Sequence, residues 1–377
     1  MNGNMANEVS CVYVSLKQAR EAVLLAILAN KILRDRMTSK GGKVRIEDLR
    51  ANQFGALIHG QSGVGKTAST DPLADILNDM GFKGPDGEKA FWNMLDVNLA
   101  SQLPEEFQGL PTKGEGAVKY LPRYNIAPTS FGICRIDELD RPAFYQTLTA
   151  CIKWAIDRTT DAYLGWYWFV LGLCNSTSDS NTEALSEHAR GRFMHLYIST
   201  NLPEYKQEFE EYMERSKFSA ASKRLMAANP IQTRDEFENY AVFNPRSLGF
   251  ADAVLAAYKQ YGEKLGISKK ALLAALSGLI TKPMALELIG FDEMNDLPDL
   301  ATVTAAPSTV PVPKDGSLVH KHAAMLVREC GEKQATKLMT YLLRLQAEVA
   351  RCHIETLARR CPTLAESPEY IKWVSSR

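Results

Sequence analysis

The sequence shows no excess of either charge sign: 44 Lys and Arg are matched by 44 Asp and Glu over 377 residues. A polybasic coat for nucleic acid or for an anionic membrane surface is therefore excluded at the level of the whole chain. No long hydrophobic run is present. The longest uncharged apolar stretch, Ala162 to Cys174, is too short to span a bilayer, so no membrane role is expected. Met1 to Ser10 contains Glu8 and no basic residue ahead of an apolar stretch, so no secretory signal is expected and the predicted location is cytoplasmic. The seven cysteines are odd in number, widely scattered and without a C-x-x-C pair, which reads as reduced thiols and excludes a disulfide frame or a zinc site. The six histidines lack metal-ligand spacing; His320-x-His322 is too little. What remains is 45% hydrophobic and 23% charged, the balance of a water-soluble globular chain, with length for two or three structural units.

Along the chain, Ser15 to Arg36 carries apolar residues at helical spacing, with Ser15 as N-cap and basic residues in the last turns. Short apolar runs at Phe54–His59, Phe131–Ile136, Trp166–Leu173 and Phe193–Ile198 alternate with helical patterns, including Leu73–Met80 and Arg141–Ile156. That alternation predicts an α/β fold with a parallel sheet covered by helices on both faces. After residue 200 only helical patterns follow, near Glu204–Lys217, Ser247–Tyr261 and Ser268–Leu279. Residues 296–316, rich in Pro, Thr and Ala without apolar periodicity, read as an extended linker. Amphipathic spacing then returns, for example over Ala335–Leu357. The predicted division is an N-terminal helical segment at 1–45, an α/β core at 46–200, a helical lid at 201–295, the linker at 296–316 and a helical C-terminal region at 317–377.

Gly60-Gln61-Ser62-Gly63-Val64-Gly65-Lys66-Thr67 fits G-x-x-x-x-G-K-[ST] and lies between a predicted strand and a predicted helix. Glycines let backbone N–H groups turn inward around phosphate oxygens, and the helix N-terminus adds partial positive charge. Lys66 would reach the β- and γ-phosphates, and the Thr67 hydroxyl would bind Mg2+. Pro72 falls about two turns into the following helix and would remove a hydrogen bond there; a short first helix, with a second beginning at Asp71-Pro72 as N-cap and N1, accommodates it. Seventy residues after Thr67, the strand Ile133-Cys134-Arg135-Ile136 ends in Asp137-Glu138. Asp137 can hold Mg2+ through water, and Glu138 can act as base on the attacking water. Arg135 is unusual inside such a strand and is expected at a subunit interface.

These residues resemble the AAA+ ATPases and, within them, the MoxR-like branch. Leu103-Pro104-Glu105-Glu106-Phe107-Gln108-Gly109 is similar to the family's L-P-x-D-x-x-G segment, and Asp137-Glu138-Leu139-Asp140-Arg141 to its D-E-I-N-R. Asn175 occupies the place of the sensor-1 polar residue, Gly191-Arg192-Phe193 resembles the x-R-F that carries an arginine finger, and Asn244-Pro245-Arg246-Ser247-Leu248 resembles the S-P-R-x-L of sensor 2. The resemblance spans roughly residues 50 to 290 in the family's order. Asp140 stands where the family has Asn, and Thr177-Ser178 where a proline often follows sensor 1.

The resemblance implies a P-loop NTPase core with an all-helical lid, ATP and Mg2+ as ligands, and a ring, by family habit a hexamer. Asn175 would orient the lytic water or contact the γ-phosphate. Arg192, with Arg190 as a rival two residues away, would act on the neighbouring subunit's nucleotide, and Arg246 would touch the γ-phosphate in cis. The implied work is remodelling of a protein partner, with von Willebrand factor A domain proteins the first to seek. Two other functions stay open: a nucleic-acid-stimulated motor or loader, for which the basic stretches Lys31–Arg45 and Arg344–Arg360 are the only sequence support, and a non-hydrolysing ATP-binding assembly scaffold.

Overall fold

The computed structural model describes residues 11–38, 53–84, 87–113, 118–121, 124, 126, 130–142, 144–158, 164–175, 187–217, 219, 241, 243–295, 297–313 and 316–375. Met1–Ser10, Thr177-Ser178 and the basic stretch beyond Thr38 lie outside them. The chain forms two compact units, Met1–Ala285 and Leu286–Arg377.

In the first unit the strands are β1 (Tyr13–Val14), β2 (Gly55–His59), β3 (Trp92–Asn98), β4 (Leu110–Lys113), β5 (Val118–Leu121), β6 (Phe131–Asp137), β7 (Trp168–Cys174) and β8 (Phe193–Ile198). Six of them make one sheet in the order β1-β8-β2-β7-β6-β3, parallel throughout, and β4-β5 form a separate antiparallel pair. Every residue of β2, β7 and β8 is buried, so these strands read as continuous apolar runs. β3 lies at the sheet's edge with polar residues interrupting its burial, which is why no strand was expected there. The parallel α/β fold flanked by helices, expected from the sequence, is observed.

Because all six strands run the same way, their C-terminal ends share one edge of the sheet. His59, Asp137, Cys174 and Ile198 end there, and the loops that follow are neighbours without being close in sequence. The Leu16–Thr38 helix packs against the Pro245–Tyr261 and Lys269–Ile280 helices, and the last of these packs onto β8. Gly278 permits that approach: a Cβ there would come within 2.1 Å of the His195 carbonyl oxygen. Of the stretch expected as a lid, 201–295, the part up to Ala285 belongs to the same compact unit as the sheet and the part from Leu286 to the second unit.

In the second unit the helices Leu300–Ala305, Gly316–Glu329, Ala335–Leu342 and Ala347–Arg360 enclose an apolar cluster that includes Val303, Leu326, Leu338, Leu342, Ile354 and Leu357. Residues expected to be extended linker take part in it, since Leu300–Ala305 is helical and Val303 and Val310 are buried. The Asp299 carboxylate caps that helix by accepting the Thr302 N–H at 2.8 Å, and low hydrophobic periodicity hid a helix this short. The pattern over Ala335–Leu357 resolves into two helices broken at residues 343–346, where Arg344 turns to donate to the carbonyls of Pro307 and Val310 at 2.9 and 2.7 Å.

Among the described residues no helix is long and apolar enough to cross a membrane. None of the seven cysteines forms a disulfide; six are buried and Cys352 is exposed.

Candidate functional site

β2 delivers the chain to the sheet's edge at Gly60, and residues 61–65 turn back into a helix that begins at Lys66. Gly63 and Gly65 hold the left-handed backbone the turn requires, with φ of 76° and 97°; a side chain at either would be strained. The first helix is short, Lys66–Thr70, and a second runs from Leu73 to Met80 with Pro72, not Asp71, at its N-cap. Pro72 thus sits where its missing N–H costs no helical bond.

Lys66 is 7% exposed and its ammonium donates to the Gly60 carbonyl at 2.6 Å, the Gln61 carbonyl at 2.8 Å and Asn175 Oδ1 at 3.1 Å. Thr67 Oγ1 lies 3.1 Å from Asp137 Oδ2. Asp137 ends β6, and its other carboxylate oxygen accepts the N–H of Glu138 at 2.9 Å. Glu138 has φ 53°, a left-handed conformation unusual for a residue with a side chain, and there the chain turns sharply off the strand. Asn175 follows β7, and its backbone N–H donates to Asp140 Oδ2 at 3.0 Å. Burial pushes the Asp140 carboxyl above its usual range, against opposing contributions from the Asn175 hydrogen bond and the cations Arg141 and Lys66. Lys66, Thr67, Asp137, Glu138, Asp140 and Asn175 therefore meet at one edge, drawn from three strand ends.

Arg192, expected to act on a neighbouring subunit's nucleotide, and Arg246, expected to reach the γ-phosphate of its own, both lie outside this group, since the Arg192 carbonyl accepts the N–H of Gly55 at the start of β2 and Arg246 is near Arg192. Arg192 immediately precedes β8 and forms an ion pair with Asp157. Burial lowers its pKa from the usual arginine value, Asp157 opposes that, and Arg246 adds cationic repulsion, so Arg192 and Arg246 are electrostatic neighbours. Arg246 occupies the second position of the Pro245–Tyr261 helix. That helix starts where it does because Asn244 Oδ1 accepts the Ser247 N–H at 2.9 Å, the Ser247 hydroxyl accepts the Asn244 N–H at 3.0 Å, and Pro245 sits at N1. The carbonyl of Arg190 lies 3.1 Å from His195 Nε2. Neither Arg192 nor Arg246 has a described contact with Lys66 or Asp137.

Arg135 corrects an expectation. It is 6% exposed and faces into its own subunit, not an interface. Its guanidinium donates to both oxygens of Asp96 on β3 at 2.6 and 3.1 Å, and to the Thr67 carbonyl, Thr70 Oγ1 and Asp71 Oδ1 at 2.7, 2.9 and 2.6 Å. It fastens the helix that carries Thr67 to two strands. A single polar residue in an otherwise apolar strand was the available signal; its partner Asp96 lay on the strand not foreseen.

Sequence reading also missed two features. His59 and His195 are buried side by side beneath the loop, with His59 Nε2 and His195 Nδ1 3.1 Å apart; burial lowers both pKa values, that of His195 to about 4. Because Nε2 of His195 faces a carbonyl, it carries the proton, and His59 is then the donor to Nδ1. Beside the loop lies a cleft of about 390 Å³ lined by Leu16, Gly63, Val64, Tyr205, Phe209 and Tyr212 among others. The Tyr205 hydroxyl donates to the Val64 carbonyl at 3.1 Å, and the Tyr205 and Phe209 rings are parallel to within 4° at 6.4 Å, one turn apart on the Pro203–Arg215 helix. Aromatic residues at that spacing in a mostly charged helix were the signal.

Among the described residues no group of three His, Cys, Asp or Glu could cage a metal ion. The Thr67 hydroxyl beside the Asp137 carboxylate is a donor set suited to Mg2+, which takes one or two protein oxygens and fills its octahedron with water and phosphate. Within the basic stretches, Lys31 pairs with Asp35, Arg36 with Asp252 and Arg351 with Glu355.

No protein-family model matches the chain, and no curated protein matches it. Among solved structures it is similar to a candidate ATPase from Cytophaga hutchinsonii, with 16% identity, 75% of this chain and 82% of that one covered, and a TM-score of 0.34. It is similar to NtrX from Brucella abortus at 13% identity, covering 86% and 67%, with a TM-score of 0.26. It is also similar to the ORC1 protein of Aeropyrum pernix, solved in complex with DNA, at 13% identity, covering 96% of each chain, with a TM-score of 0.31.

Proposed function

We propose that the chain is a Mg2+-dependent ATPase of the AAA+ kind, MoxR-like, that works as a ring and remodels a protein partner. The observation that carries the catalytic part is the 3.1 Å approach of Thr67 Oγ1, from the glycine-rich turn, to Asp137 Oδ2 at the end of another strand. A hydroxyl and a carboxylate that meet across 70 residues, next to a lysine at a helix start, are what a metal–triphosphate needs and what a plain Gly-rich turn does not.

In this reading the N–H groups of residues 60–67 bind phosphate oxygens, and Lys66 transfers its donors from loop carbonyls to the β- and γ-phosphates. Thr67 and Asp137 hold Mg2+, whose contribution is neutralisation of phosphate charge. Glu138 removes the proton from the attacking water, and its left-handed backbone aims it off the strand end. Asn175 positions that water or the γ-phosphate. The cleft against Leu16, Val64, Tyr205 and Phe209 takes the nucleobase and ribose; its volume falls in the range of small-molecule sites, roughly 300–1,000 Å³. Arg192 leaves Asp157 for the neighbour's phosphate.

The test is phosphate release with and without Mg2+. Wild type should turn over only with the metal, Lys66→Ala should bind ATP roughly 100-fold more weakly and not turn over, and Glu138→Gln should bind ATP without turnover. Mixing Lys66→Ala with Arg192→Ala protomers should restore activity; a dead mixture of assembled variants would remove the trans role of Arg192. Nucleic-acid stimulation of turnover would favour the motor reading instead, and binding with no turnover in wild type the scaffold.

A further inference from the structure

We infer that Asp140 is a positioning residue that sets Asn175 against Lys66 through the Asn175 backbone. The inference rests on the reading of Lys66 and Asn175 as triphosphate-facing groups.

Two buried charged residues near the site do different work. Arg135 makes five hydrogen bonds and holds three elements together. Asp140, 7% exposed, makes one external bond, from the Asn175 N–H to Oδ2 at 3.0 Å, while its Oδ1 is buried without a partner. A buried carboxylate with one oxygen orphaned costs folding free energy, so Asp140 is poorly suited to a purely structural role. What the one bond does is geometric. It fixes the first residue after β7, whose Oδ1 then meets the Lys66 ammonium at 3.1 Å. The turn that carries Asp140 is itself tied to the same strand end, since Leu139 N–H donates to the Leu173 carbonyl at 3.1 Å. The contacts close a ring: Thr67 to Asp137, along the turn to Asp140, across to Asn175, and back to Lys66 beside Thr67. The charged groups that bear on Asp140 are Lys66 and Arg141, with the Cys174 thiol alongside. Its substitution therefore moves Asn175, the one hydrogen-bonded link from Asp140 to the nucleotide site, while the Asp140 charge also bears on Lys66 directly.

The test uses the full chain as wild type, Asp140→Ala, Asp140→Asn, Asn175→Ala and the double Asp140→Ala/Asn175→Ala. Asp140→Ala should lower kcat about 10-fold while KM changes less than about 3-fold, as losses of supporting hydrogen bonds do. Asp140→Asn keeps an acceptor for the Asn175 N–H and should recover to within about 3-fold of wild type with no loss of Tm. In the Asn175→Ala background, Asp140→Ala should cost less than about 2-fold more, because the two act as one. Full additivity, unchanged kcat in Asp140→Ala, or a loss explained by unfolding would each overturn the inference. A readout independent of turnover separates it from the function proposed above: the Asn175 backbone amide NMR peak should move in Asp140→Ala and stay near its place in Asp140→Asn. A wild type that turned over no ATP would sink the ATPase, whereas an Asn175 peak unmoved in Asp140→Ala would sink this inference by itself.

Discussion

The two units of the chain bury different things. In Met1–Ala285 the described interior holds Lys66, Arg135, Asp140, Arg158, Asn175 and the His59–His195 pair, whereas in Leu286–Arg377 the buried polar residues are Thr304, His322 and His353. A charge removed from water costs free energy unless partners satisfy it, so an interior with several charges is stable only where geometry supplies those partners. The core unit spends part of its hydrophobic stabilisation on such groups; Lys66, Asp140 and Asn175 gather at the end of the sheet where the loops meet, whereas Arg158 bonds the Trp168 carbonyl at the start of β7. Among its described residues the C-terminal unit buries no Lys, Arg, Asp or Glu, and its buried titratable groups include His322 and His353.

The comparison is broken most severely by Lys66→Ala. Removing a buried ammonium meant for phosphate should weaken Mg·ATP binding roughly 100-fold, measured by calorimetry, with the C-terminal unit unaffected. Next, Leu338→Ala, at a fully buried position of the C-terminal cluster, should cost about 4 kcal/mol of that unit's stability while leaving the core's unfolding unchanged; two transitions by denaturant with separate probes would show it.

Acid should act on the core through its histidines. His59 and His195 have lowered pKa values when folded, so unfolding lets them take up protons. Their stabilisation is complete above about pH 6.5 and is lost as the pH falls toward 4. For His195 alone, with a folded value of about 4, the loss is on the order of 3 kcal/mol, and His195→Gln should flatten the core's dependence of Tm on pH over that window. His322 and His353 have lowered values too, so the C-terminal unit should weaken with the same sign, independently of that substitution.

Arg135→Ala should cost the core about 2 kcal/mol, less than a fully buried ion pair would, because Asp71 and Asp96 are each 61% exposed and regain water. Smallest of all, Arg351→Ala removes an exposed pair with Glu355 one helical turn away and should change stability by under about 0.5 kcal/mol.

Much of this was legible in the sequence. The runs that became β2, β6, β7 and β8 were apolar enough to be read as buried strands, and G-x-x-x-x-G-K-T placed Lys66 and Thr67 because only glycine tolerates the turn between them. The spacing to Asp137 was visible; its 3.1 Å approach to Thr67 was not, since the pairing of β6 with β7 and of β7 with β2 is long-range. β3 escaped because an edge strand can expose polar residues, and with it went Asp96, the reason Arg135 can be buried. Asp140 was noticed as a departure from a motif, but its bond to Asn175 joins two strand ends 35 residues apart and leaves no local trace. The engagement of Arg192 with Asp157 was equally invisible, because a motif fixes a residue's place in the chain and not its partner.

The account's central claim is that residues 60–67 and Asp137 together hold a metal–nucleoside triphosphate. Calorimetric titration of Mg·ATP into the full chain, with Lys66→Ala alongside, tests it most directly. Saturable one-site binding that weakens roughly 100-fold in Lys66→Ala and also weakens when Mg2+ is chelated is the predicted result. Heats of dilution alone in wild type, or binding of equal strength in Lys66→Ala, would contradict it.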